Sequence, residues 1–289
     1  MRYNNFLDKI DTRLVNYFGG YCEVRSLDFM LKWGAATEHP VFGKLLKKLY
    51  DFFCGYYAGF IVPQDGSLSK GIEIMPYESI LELMRRAKVG RIWPCSCKSF
   101  RPYDQDKVPR ATCMFISEVT SIDDTITKYD NSPWLPAEDI IKRFEECEDA
   151  GLVHQMMCVS NPLGRKMYVI CNCDTKACVP MYLKLRYDIP FVRSSGFICS
   201  ENTENCENCH ICIERCPFDA ITLVDGVVTT NTEKCLGCGV CISKCSGHVR
   251  KMVRKPTEKI HEYTLQELHD HHDRAMVVGE KGEFPTPRE

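Results

Sequence analysis

The run CENCHICIERCP, Cys206 to Pro217, returns in outline as CLGCGVCISKCS, Cys235 to Ser246, with each of its four cysteines displaced by 29 residues. Both copies read C-x2-C-x2-C-x3-C. A chain that repeats this rhythm must fold so as to gather eight thiols. Its two-residue steps let a tight loop set three sulfurs around one centre while backbone N–H groups point inward. The opening Cys-x-x-Cys-His also spells a c-type haem attachment. Haem has no use for Cys212, Cys216 or a second copy, so His210 reads as a residue between ligands. Structural zinc would take four thiolates in two close pairs and does not call for the x2-x2-x3 rhythm. The spacing fits cubane [4Fe-4S] clusters.

The 19 cysteines are the one anomaly of an otherwise ordinary composition, 44% hydrophobic and 26% charged over 289 residues. A disulfide scaffold belongs to small secreted chains, and the N-terminus MRYNNFLDKIDTRLVNYF has no apolar core of a signal peptide. Reduced thiols in a cytoplasm are expected. The net charge of -2 gives no general reason to expect nucleic acid or an anionic membrane as partner. The apolar stretch from Leu49 to Val62 is too short to span a bilayer and reads as a helix packed on a core or partner.

The fold class expected is α+β. Residues 1–75 form a helical N-terminal region, with helices near 3–18 and 26–34 and a third from Pro40 toward Gly55 to Gly59. Residues 76–190 form a cysteine-rich domain. It starts with a helix after Pro76, and a second runs from Ala137 to Ala150, stopped by Gly151. Leu152 to Val159 and Lys166 to Cys171 flank Asn-Pro-Leu-Gly as a β-hairpin, so helix plus hairpin outlines a winged-helix-like module. Residues 191–255 carry the repeated cysteines and a second hairpin turned on Asp225-Gly226. Residues 256–289 are a helical-to-coil tail whose His269, His271 and His272 read as solvated surface.

Residues 191 to 255 resemble the bacterial-type two-cluster [4Fe-4S] ferredoxins in all eight cysteines and in Pro217. Ser246 departs from the proline usual there. In that family the cysteine after the x3 step crosses to the other cluster. The resemblance therefore implies one cluster on Cys206, Cys209, Cys212 and Cys245, and another on Cys235, Cys238, Cys241 and Cys216.

A second set lies upstream: Cys95, Cys97, Cys113, Cys158, Cys171, Cys173 and Cys178. Its C-x-C grouping suggests a metal, whereas Cys22, Cys54 and Cys147 read as core packing. Here the chain resembles dicluster ferredoxin-type proteins of anaerobes with a cysteine-rich N-terminal extension. The matches are Cys95-Ser-Cys97-Lys98, Cys113, Gly151-Leu-Val-His154 and Ile170-Cys-Asn-Cys173. Lys98 stands for the usual arginine and Asp174 for a further cysteine. Cys95, Cys97, Cys113, Cys171 and Cys173 are the expected ligands of a third iron–sulfur cluster or a zinc ion. His154 reads as a structural histidine.

The function expected is single-electron relay through two clusters, as a subunit or partner of an anaerobic oxidoreductase rather than a stand-alone enzyme. Nucleotide, flavin and hydrolase motifs are absent from the sequence, and no catalytic residue is expected apart from the cysteines. One alternative is a redox enzyme with an active-site cluster in the upstream domain. Another is a redox-sensing regulator, but the 137–150 helix carries six acidic residues against Lys142 and Arg143, and phosphate would repel it.

Overall fold

The computed structural model describes residues 22–57, 59–64, 89–101, 111–117, 135–160, 166–201 and 205–255. Helices α1 (Cys22–Ala36) and α2 (Gly43–Tyr57) come first and lead into a strand, β1 (Gly59–Ile61). The single helix expected across Leu49 to Val62 is thus corrected. It stops at Tyr57, and the chain goes on as an extended segment whose Ile61 and Val62 are almost wholly buried. β-Branched residues of this kind suit a sheet, and the neighbouring strands take up their backbone groups. The helices expected near 3–18 and after Pro76, and the histidine tail, lie outside the described residues.

There follow β2 (Val89–Pro94), α3 (Ser96–Phe100), β3 (Ala111–Ser117), β4 (Leu135–Pro136), α4 (Ala137–Asp149), β5 (Val153–Ser160), β6 (Lys166–Cys173), α5 (Val179–Tyr187) and β7 (Val192–Arg193). Their strands join β1 in one seven-stranded sheet of order β4-β2-β3-β6-β5-β1-β7, antiparallel except between β1 and β7. The expected helix and hairpin are α4 with β5 and β6. The hairpin runs through the middle of the sheet, between β3 and β1, so strand order lends no support to a winged-helix module.

Helix α4 buries Ile140, Phe144 and Cys147, an i, i+4, i+7 stripe, and ends before Gly151 at φ 76°. Phe144 stacks on His154 at 4.0 Å. His154 pairs with Asn172 across the hairpin, whereas Gln155 pairs with Cys171 and Val153 with Cys173. Alternation therefore puts α4 over the His154 side of the hairpin and turns the cysteines to the other side.

The remaining elements are β8 (Phe197–Glu201), α6 (Ile211–Glu214), β9 (Ile221–Val224), β10 (Val227–Thr230) and β11 (Arg250–Arg254). The repeat in sequence is a repeat in structure. A 29-residue shift carries β8 onto β10 and β9 onto β11, and the pairs β8–β11 and β9–β10 exchange. Left-handed backbone recurs at the same offset: Asn208, His210 and Asp219 in the first half, Gly237, Gly239 and His248 in the second. The β9–β10 turn has φ 50° at Asp225 and 78° at Gly226, positive at both central residues as a two-residue hairpin of type I′ requires.

This unit sits against the sheet domain through the C-terminus of α4. Arg215 donates to the Glu148 and Asp149 carbonyls at 3.5 Å, and Lys244 pairs with the Asp149 carboxylate at 2.7 Å. Carbonyls at a helix end lack intrahelical partners, so cations there satisfy both hydrogen bonding and the helix dipole. The Gln64 N–H, just past β1, donates to the Cys238 carbonyl at 3.0 Å.

Candidate metal centres

In the repeated unit, Cys206, Cys209 and Cys212 line one concavity, and the fourth cysteine lining it is Cys245, from the other run. His210 and Arg250 share its wall. At Ser246, where a proline was the family expectation, the hydroxyl donates to Glu207 at 2.7 Å and ties together the two segments that bound the concavity. Cys216 turns the opposite way, into the neighbourhood of Cys235 and Cys238. The Ala220 N–H points at its sulfur at 3.2 Å, a donor such as a metal-bound thiolate accepts. Burial raises the thiols of Cys212, Cys235 and Cys238 above their usual range. Ionising them calls for positive charge in the site, which a cluster's irons supply. Three cysteines of one run plus the last cysteine of the other suit two cubane clusters.

Cys199, in β8, escaped the sequence reading. It hydrogen-bonds to Cys241 and accepts from Arg250 Nη1 at 3.5 Å. The signal that finds it is the repeat offset: its counterpart is Val228, equally buried and lining the first concavity. Each half thus presents one β-strand side chain to the site of the other half's cysteine run, Val228 to the first and Cys199 to the second.

Upstream, the structure brings together all five expected residues and adds Cys178. Cys95 stands at the N-cap position of α3 and Cys97 lies within the helix; Cys113 in β3 pairs directly with Cys171 in β6. Cys173 follows two residues on, on the same face of the strand. Asp174, where a further cysteine was the family expectation, accepts the Lys176 and Ala177 N–H groups at 2.8 and 3.1 Å in a tight turn. That turn delivers Cys178 to the N-terminus of α5. Each thiol then hydrogen-bonds to the next around a closed ring, Cys95, Cys113, Cys171, Cys173, Cys178, Cys97 and back to Cys95. Donation from Cys113 and Cys97 holds Cys95 down at about 3, and donation from Cys171 and Cys178 holds Cys173 well below the usual thiol range.

Lys98, on α3, is 1% exposed and donates to Thr112 Oγ1 at 2.7 Å and the Asn172 carbonyl at 3.0 Å. Its charge favours the thiolates of Cys95 and Cys173. Gln155 adds N–H donors to Cys173 at 3.0 Å and Cys178 at 3.7 Å.

Other residues take structural places. His154 is fully buried, with Nδ1 2.6 Å from Asn172 Oδ1 and Nε2 3.4 Å from Glu148. Cys158 stands opposite Tyr168, farther along the hairpin than the Gln155–Cys171 pair. Cys147 is fully buried on the inner face of α4, where desolvation pushes its thiol up to about 12. Thiolate is the reactive form, so Cys147 is expected to resist iodoacetamide at pH 8 in the native protein and to react once the chain is unfolded. Peptide mapping of the two alkylated samples checks this.

Among the described residues no helix is long and apolar enough to cross a membrane. No curated protein and no solved structure matches the chain. Residues 198–246 match the family model described as 4Fe-4S dicluster domain, so the part of the chain that gathers the repeated cysteines is a ferredoxin-like iron–sulfur domain.

Proposed function

We propose that this protein relays single electrons through two [4Fe-4S] clusters, one on Cys206, Cys209, Cys212 and Cys245 and the other on Cys235, Cys238, Cys241 and Cys216, as a subunit or partner of a larger oxidoreductase. The observation that carries the reading is the concavity where Cys245 joins three cysteines of the first run. Exchanging the fourth ligand between runs ties the clusters into one compact unit, close enough for electrons to pass between them. The chemistry is the clusters' own; the chain supplies thiolates, N–H donors to sulfur and charge, which together set potential. Domain limits at 75, 190 and 255 belong to the same proposal, with β1 and β7 lent to the sheet of the middle domain from either side.

The test is anaerobic reductive titration of the purified full chain. At least about eight irons and eight acid-labile sulfides per chain are expected. Two electrons should enter the ferredoxin-like part in one-electron steps and leave again to a one-electron dye acceptor. Zinc in place of iron and sulfide, or clusters that take up no electron reversibly, would sink the proposal.

A further inference from the structure

Cys95, Cys97, Cys113, Cys171, Cys173 and Cys178 lie outside residues 198–246, and neither ferredoxin-type cluster uses them. We propose that this ring of six thiols binds a polynuclear iron–sulfur centre through all six sulfurs, different in kind from the four-thiolate cubane.

The ring is built on rigid elements: two strands paired at Cys113 and Cys171, and two helix starts that carry Cys95, Cys97 and Cys178. Such a frame fixes sulfur positions before any metal arrives. A cubane offers four irons to four thiolates, so six ligands call for more irons or for bridging thiolates. A single zinc ion also takes four.

Charge supplies the second, independent observation. The buried Lys98, which donates to Thr112 and to the Asn172 carbonyl, sets a positive charge beside the ring, and that charge favours the thiolates of Cys95 and Cys173. A polynuclear centre held by thiolates suits such a setting, and the Gln155 amide donates to Cys173 and Cys178. Cys171, Cys173 and Cys178 share one continuous core with Cys235, Cys238 and Cys241. If the two-cluster reading holds, one electron can pass from the reduced second cluster to this centre, the second cluster being oxidised by one unit as the centre is reduced by one.

The test uses the full chain purified anaerobically, with iron, sulfide and zinc counted and the reduced and oxidised forms followed by electron paramagnetic resonance and Mössbauer spectroscopy. Iron clearly above about eight per chain is expected, with a signal distinct from that of cubane clusters. Cys97→Ser and Cys178→Ser should each bring iron back to about eight while keeping the ferredoxin-type signals, which report that the chain has folded. Lys98→Met should keep the iron and lower the midpoint potential of the extra centre alone, because a nearby positive charge favours the reduced form. About eight irons in the wild type, zinc in place of the extra iron, or an unchanged spectrum in Cys178→Ser would each overturn the proposal. The first of these leaves the two-cluster relay standing. Extra iron without ferredoxin-type signals would strike the relay and spare the ring.

Discussion

Cys216→Ser is expected to cost the chain the cluster of the second cysteine run, although Cys216 belongs to the first. Cys216 lies in the field of Cys235 and Cys238, and the first-run concavity is completed by Cys245 instead. A serine hydroxyl ionises far less readily than a thiol and replaces it poorly on iron, so about four irons should be lost. The decisive comparison is spectroscopic. Reduced Cys216→Ser should show the same remaining cluster signal as Cys238→Ser. Cys245→Ser should match Cys209→Ser, and the interaction between two neighbouring reduced clusters should vanish from all four. If Cys216→Ser matched Cys209→Ser, each run would hold its own cluster and the crossed assignment would fall.

The ferredoxin-like part was legible because its information is local and occurs twice. Cysteine spacing set the loops, Asp225-Gly226 set a hairpin, and the 29-residue offset related the halves down to the residues with positive φ. The upstream site was legible only in composition. Cys113 and Cys171 are far apart in the chain, and the sheet order that makes them neighbours is a tertiary fact that no spacing records. Cys178 belongs to the upstream cysteine set but is not among the ligands expected from sequence, since nothing in CNCDTKAC says that Asp174 will fold the chain back on itself; its carboxylate does so by accepting two backbone N–H groups. The break after Tyr57 was hidden for a different reason. A short apolar run does not by itself distinguish a buried helix from a buried strand, and β1 is settled by its partners β5 and β7. The acidic surface of the 137–150 helix was read only as a bar to DNA. Its last residues also form the seat for Arg215 and Lys244.

Gly237→Ala should disable the second cluster site, whereas Gly226→Ala should be tolerated, although the two glycines have nearly the same φ, 73° and 78°. Left-handed backbone costs alanine about 1–2 kcal/mol at either position. At Gly226, in the exposed hairpin turn, an added Cβ meets nothing within 4 Å, so that cost is the whole effect. At Gly237 the Cβ would stand 2.1 Å from Ser195 Oγ and 2.4 Å from the Phe197 carbonyl oxygen. Ser195 cannot simply swing aside, because its hydroxyl donates to the Gly237 carbonyl at 2.8 Å and its N–H to the Leu236 carbonyl at 3.1 Å. The loop itself must move, and Cys238 is the next residue. Overpacking of this kind adds about 1–3 kcal/mol to the backbone strain. The first half of the repeat isolates the cause. Asn208 occupies the equivalent place at φ 51° with a side chain, so left-handed backbone alone is compatible with a cysteine loop of this shape. The measurement is bleaching of the cluster absorbance in increasing guanidinium under anaerobic conditions, together with iron content as purified. Gly237→Ala should arrive short of about four irons or bleach at distinctly lower denaturant, and Gly226→Ala should retain its iron and bleach near the wild-type midpoint. Equal midpoints for the two variants would mean that the Cys238 loop is not held by its contact with Ser195 and Phe197.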